Sequence, residues 1–222
     1  MSYKRILVIP DIQAPYHHKD TIGFLTRVKK DVKPDFVTCA GDELDQYTLS
    51  KYPHDPDAPS GGYEYSMAMD LWKQIFALYP RGLSVTSNHV ERVSKKAVNS
   101  GIPSAYLKKP REFMQAPSGW NWHERFIVDD VQWEHGERAG SGAHGLRTLV
   151  VANMRSTVIG HYHETPGTIW TSNGERVLWG LNAGSLVDTG SYGLSYSRKN
   201  RHKAVAGCGL IIEGNPRFQP YY

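Results

Sequence analysis

The sequence predicts an α/β fold, and three observations carry the prediction. Short β-branched or apolar runs at 5–9, 36–40 and 81–86 each stop at a proline, a glycine or a polar turn, as buried strands do. Helical periodicity fills the stretches between them, with Ile22, Leu25 and Val28 on one face of the first and Tyr65, Met69, Trp72, Ile75 and Phe76 recurring in the second. The resulting strand–helix–strand order argues for parallel strands joined by right-handed crossovers. At 222 residues the chain suffices for one such domain over 1–222, with an irregular insertion at about 100–122.

Asp20 is placed to cap a helix running to about residue 30, which Lys33-Pro34-Asp35 breaks. Residues 47–60, rich in Tyr, Pro and Asp, read as a loop before a helix at 64–79. Pro103, Pro110 and Pro117 make 101–122 an irregular insertion or lid with one short helix. Residues 122–135 alternate as a hairpin around Asp129-Asp130. A glycine-rich loop at 140–145 precedes a helix at 146–154 and a strand at 157–159. Antiparallel strands follow at 168–171, 176–181 and 205–212, with Asn173-Gly174 as a hairpin turn.

Composition narrows the function classes. A formal charge of +4 is too small for a dedicated nucleic-acid binder, although it does not oppose an anionic substrate. Two cysteines, Cys39 and Cys208, offer neither a disulfide framework nor a zinc motif and fit a reducing compartment. The first apolar run is too short for a secretory signal and no stretch is long enough to cross a bilayer, so a soluble, cytoplasmic protein with no membrane partner is expected. The ten histidines cluster beside Asp, Asn and Gly, which points to metal chemistry.

Polar residues of metal-binding type follow the apolar runs at Asp11, Asp42, Asn88, His135 and His161. In α/β sheets the carboxyl ends of the strands form the crevice where ligands bind. Asp11 and Gln13 lie two apart, so both side chains can face one point, and Gly41 permits a tight turn before Asp42. With Asn88, His89, His135, His161 and His163 the set offers carboxylates, amide oxygens and imidazoles, a mixture that suits Mn²⁺, Fe or Zn²⁺. So many ligands favour two ions sharing a carboxylate; ions about 3.5 to 4 Å apart can acidify a bridging water and clamp a phosphoryl group.

In order, Asp11-Ile12-Gln13, Gly41-Asp42-Glu43-Leu44-Asp45, Ser87-Asn88-His89, His135-Gly136 and Gly160-His161-Tyr162-His163 resemble the motifs of the calcineurin-like metallophosphoesterases. Asn182-Ala183-Gly184-Ser185 is similar to that family's final strand-turn. The resemblance implies a metallophosphoesterase-type two-sheet β-sandwich flanked by helices, in four layers. It implies that Asp11, Gln13, Asp42 and His163 hold one metal, and that Asp42 bridges to a second held by Asn88, His135 and His161. His89 would bind no metal but sit over the phosphate, beside Asn88 and Arg92, and protonate the leaving oxygen. Asp45 would brace its loop or a ligand.

Three departures matter. Gln13 stands where the family has His, which leans the site toward Mn²⁺ or Mg²⁺, with His17 or His18 able to compensate. Ser87 replaces a Gly. Val90 stands where an acid orients the histidine, a role open to Glu91 or Asp45. The expected activity is hydrolysis of a phosphodiester, a nucleotide or nucleic acid, by a metal-bridging hydroxide. The alternatives are a phosphomonoesterase or protein phosphatase, which Arg92 and Arg125 at the site mouth would favour, and a non-catalytic binding protein. Trp120 and Trp122 are candidates for substrate contact. The run Arg198-Lys199-Asn200-Arg201-His202-Lys203 reads either as a solvated patch or as a contact to a nucleic-acid backbone. His144, in the glycine-rich loop, reads as structural.

Overall fold

The computed structural model describes residues 3–140, 142–191 and 201–222. Ser141 of the glycine-rich loop and positions 198–200 of the basic run lie outside the described residues. Arg201, His202 and Lys203 are exposed.

The first half of the chain runs β1 (Arg5–Ile9), α1 (Thr21–Val32), β2 (Phe36–Cys39), α2 (Gly61–Leu78), β3 (Arg81–Val85), α3 (Arg92–Asn99), α4 (Pro110–Phe113) and β4 (Gly119–His123). Then come β5 (Phe126–Val128), β6 (Val131–Trp133), α5 (Gly142–Asn153), β7 (Ser156–Ile159), β8 (Gly167–Ser172), β9 (Val177–Asn182), β10 (Gly207–Ile212) and β11 (Asn215–Pro220). One sheet has the order β11-β10-β1-β2-β3-β4 and the other β5-β6-β7-β9-β8. β1, β2, β3 and β4 are parallel, β1 and β2 with Ile6 opposite Phe36 and Ile9 opposite Cys39.

The alternation of β1 sets the layers. Leu7 and Ile9 pack with Phe24 and Leu25 of α1 and with Trp72 and Ile75 of α2. Ile6 and Val8 point the other way, onto Val131, Val158 and Leu181 of the second sheet. On the far face of that sheet, Leu146, Leu149 and Val150 of α5 cover Ile159. The order is helices, sheet, sheet, helix: the expected four layers. No helix among the described residues is long and apolar enough to cross a membrane.

Several local expectations change. Asp20 precedes α1 but its side chain makes no cap; it takes the Arg27 guanidinium at 2.9 Å instead. Helix α2 begins three residues before the expected start because the Ser60 side chain accepts the Tyr63 N–H and caps it. The insertion contains a 3₁₀ turn at Ser104–Tyr106 besides α4, and it ends at β4, a strand of the first sheet. Trp120 is fully buried on β4, edge-on to Trp72 and donating to the Tyr79 carbonyl at 2.8 Å. Trp122 packs against the same core. Neither is a substrate contact. The Asp129-Asp130 hairpin is present, with φ of 51° and 60° as a two-residue I′ turn requires. The last strand, β11, is unexpected from a stretch with Pro216 and Pro220, which an edge strand tolerates.

Candidate dinuclear metal centre

The loops after β1 and β2 are tied together first by backbone. The N–H groups of Ile12 and Gln13 both donate to the Asp42 carbonyl, at 3.1 and 2.7 Å, and Ala14 donates to Glu43 at 3.0 Å. The arrangement places Gln13 and Asp42 in the left-handed region, each with φ 46°, and His161 joins them at φ 67°. Such backbone costs about 1–3 kcal/mol per residue and persists only where the surroundings over-determine it. Gly41 precedes Asp42 at φ 99°, where an added Cβ would press on His135 Nδ1 and Ser87. The Ser87 hydroxyl accepts the Asp42 N–H at 2.9 Å, a support that sequence reading missed because Ser87 looked like a mild replacement for Gly.

Five side chains converge on one point. Asp42, His135 and His161 form one group of donor atoms and Asp11, Asp42 and His163 a second, each within 4.8 Å, with Asp42 common to both. The His161 N–H donates to Asp11 Oδ2 at 2.7 Å, and His163 Nε2 lies 3.1 Å from the same oxygen. His135 Nε2 is 3.4 Å from Asp42 Oδ2 and 3.3 Å from His161 Nδ1. Its other nitrogen donates to the Ala40 carbonyl at 2.8 Å, which leaves Nε2 as the ligating atom. Gln13 Nε2 sits 3.4 Å from Asp42 Oδ2 and 3.3 Å from His89 Nε2. Asn88 lies between Ser87 and His89, both of which hold Asp42. His17 and His18 are in neither donor group.

These residues fit a pair of cations. Asp11 Oδ1, Gln13 Oε1 and Asn88 Oδ1 are buried acceptors with no hydrogen-bond partner, a costly condition that bound ions remove. The electrostatics agree. Burial opposes ionisation of Asp42, but His135 and His89 beside it hold its carboxyl well below the usual range. Burial likewise opposes protonation of His135, yet Asp42 and Asp11 outweigh it and push the imidazole up to about 10. A cation at His135 therefore competes with a proton. Burial and the neighbouring His135 lower His161.

His89 is set apart from both groups. Its Nδ1 lies 2.8 Å from Asp45 Oδ1 and 2.9 Å from the Asp45 carbonyl, so Asp45 fills the place that Val90 leaves empty. Glu91 instead pairs with Lys95 at 2.9 Å. His89 Nε2 faces Arg92 Nη2 at 3.1 Å and Asp42 Oδ2 at 3.8 Å. Burial lowers the His89 pKa, but Asp42 and Asp45 prevail and raise it. Arg92 is anchored on the carbonyls of Asp45 and Gln46, at 2.7 and 3.3 Å. Arg125 is elsewhere, lining a cavity of about 160 Å³ with Glu91, Glu124 and Glu134. His144 is exposed on α5.

Behind the site, Glu43 is fully buried and accepts from Trp122 Nε1 at 2.6 Å and from the Ser84 hydroxyl. Burial pushes its carboxyl up to about 7. The folded state thus keeps a proton that the unfolded chain releases near pH 4.5, so stability falls as pH rises from there to about 7. In chelator-treated protein, Glu43→Gln is expected to change urea stability by under ~1 kcal/mol at pH 5 and to raise it by ~3 kcal/mol at pH 8. Equal effects at both pH values would refute the buried proton.

No family model matches the chain, and no curated protein matches it. Among solved structures it is similar to Vacuolar Protein Sorting 29 from Cryptosporidium parvum, at 13% identity and TM-score 0.51, over 98% of this chain and 96% of that one. It also aligns with a phosphoesterase from E. coli, at 12% identity and TM-score 0.46, over 93% and 87% of the two chains. A metallophosphoesterase from Sphaerobacter thermophilus aligns at 15% identity and TM-score 0.43, over 100% and 89%. Two multi-strand sheets between helices, with ligand-type residues at the strand ends, are the metallophosphoesterase fold.

Proposed function

We propose that the chain is a metal-dependent hydrolase of phosphodiesters, with nucleotides or nucleic acids as its substrate class. One observation carries the reading: two donor groups share Asp42, and a histidine that belongs to neither, His89, stands beside them. The first site would be held by Asp11, Gln13, Asp42 and His163 and the second by Asp42, Asn88, His135 and His161. Divalent ions supply at such a site an acidified water and positive charge against the phosphoryl oxygens. The mixture of carboxylate, amide oxygen and imidazole supports Mn²⁺ as the preferred ion.

The chain's own residues supply the rest. Arg92, half-buried and fixed on two carbonyls, is placed to orient a phosphoryl oxygen. Asp45 turns His89 so that Nε2 faces the site, and its charge favours the protonated imidazole that gives its proton to the leaving oxygen. Arg92 without Arg125 supports a diester over a monoester, since a terminal phosphate brings a second negative charge that calls for a second cation. With Mn²⁺ added, hydrolysis of bis-p-nitrophenyl phosphate is expected to exceed that of p-nitrophenyl phosphate. A monoester preference would shift the assignment to a phosphatase, and no turnover of either would leave a binding protein.

A further inference from the structure

A second cavity, of about 460 Å³, opens beside the metal centre and is not used by the chemistry described so far. That volume is in the range of about 300–1,000 Å³ that small-molecule sites occupy. Its walls are apolar and partly aromatic. Leu49 and Val90 come from the site's own loops, Tyr65 from α2, and Tyr106 and Phe113 from the insertion. The insertion is clipped in place where the Tyr65 hydroxyl donates to the Phe113 carbonyl.

The cavity is continuous with the site. Val90 follows His89, and Gln46, another wall residue, accepts the Arg92 guanidinium on its carbonyl at 3.3 Å; Arg92 in turn lies 3.1 Å from His89 Nε2. The side on which His89 stands is the side from which the leaving group departs.

Two polar atoms break the apolar lining, and both are acceptors. Glu64, only 3% exposed, gives Oε1 to the Tyr47 N–H at 2.7 Å, while its Oε2 is buried with no hydrogen-bond partner. Gln46 Oε1 is buried and unpartnered in the same way. Unmet acceptors inside an apolar cavity are costly until something donates to them. An aliphatic occupant satisfies the walls and leaves these oxygens unpaired; a sugar satisfies the oxygens and wastes the aromatic walls.

We infer that this cavity receives the ring of the leaving group, and that the ring is a flat heterocycle of nucleobase type carrying N–H donors on its edge toward Glu64 and Gln46. The inference rests on the phosphodiesterase reading for the words "leaving group", but ring binding does not need the metals.

The test is calorimetric binding of two nucleosides, adenosine and purine riboside, which differ by one exocyclic amine and carry no phosphate. Adenosine is expected to bind about tenfold tighter, the difference one buried hydrogen bond makes. In Glu64→Gln, where a donor replaces the free acceptor, the two constants should converge to within about twofold. The readout is their ratio, because a merely loosened fold weakens both alike. Should Glu64→Gln fail to fold, Ser94→Trp, on the exposed face of α3 at the cavity wall, is expected to weaken both nucleosides together. Equal binding of the two nucleosides, no binding of either, or no effect of Ser94→Trp would overturn the inference. Turnover of bis-p-nitrophenyl phosphate, followed in parallel, separates the two readings. Turnover without nucleoside binding removes the ring site alone. Selective binding without turnover keeps the ring site and removes the hydrolase.

Discussion

Asp42→Asn is expected to lower phosphodiester turnover by at least about 10³-fold and to reduce bound Mn²⁺ from two equivalents to one or none. Asp42 is the one side chain common to both donor groups, so its charge serves both ions. The amide keeps shape and volume at a position that is 1% exposed, so the loss tracks charge and not packing. The same substitution removes the carboxylate that most favours protonation of His135, and that proton should leave at lower pH. Metal analysis after gel filtration reads the first effect and histidine proton shifts against pH the second. Two retained equivalents with near-normal turnover would show that Asp42 bridges nothing.

His89→Ala is expected to have the second-largest effect, about 10²–10⁴-fold on kcat, with both equivalents of Mn²⁺ retained. The split follows from the geometry: His89 belongs to neither donor group, yet its Nε2 reaches to 3.8 Å from Asp42. The loss should shrink for esters whose leaving group needs no proton. A p-nitrophenyl leaving group ought therefore to show less of the defect than an alkyl one. Uniform loss across leaving groups would assign His89 to phosphate binding alone, and loss of metal would make it a ligand.

The strands and helices that carry the site were legible because each is a short apolar run closed by a residue with its own conformational rule. β1 and β2 stop at Pro10 and Gly41, and a polar residue follows each. The convergence of Asp11, Asp42, His135, His161 and His163 was legible for the same reason, since strand ends in a parallel sheet share an edge. Less could be read where long-range contacts decide. Trp120 and Trp122 follow a proline-rich stretch and look like loop residues, but pairing with β3 turns them into core. The hold of Asp45 on His89 spans 44 residues and depends on the left-handed turn at Gln46, which no periodicity announces. The unpaired oxygens of Glu64 and Gln46 are invisible in sequence, because a missing partner is a property of the packed molecule.

The most direct test of the central claim is anomalous diffraction from crystals of the protein soaked in Mn²⁺. The account requires two peaks, one among Asp11, Asp42 and His163 and the other among Asp42, His135 and His161, with the Asp42 carboxylate touching both. A single peak, or two that do not share Asp42, would contradict it.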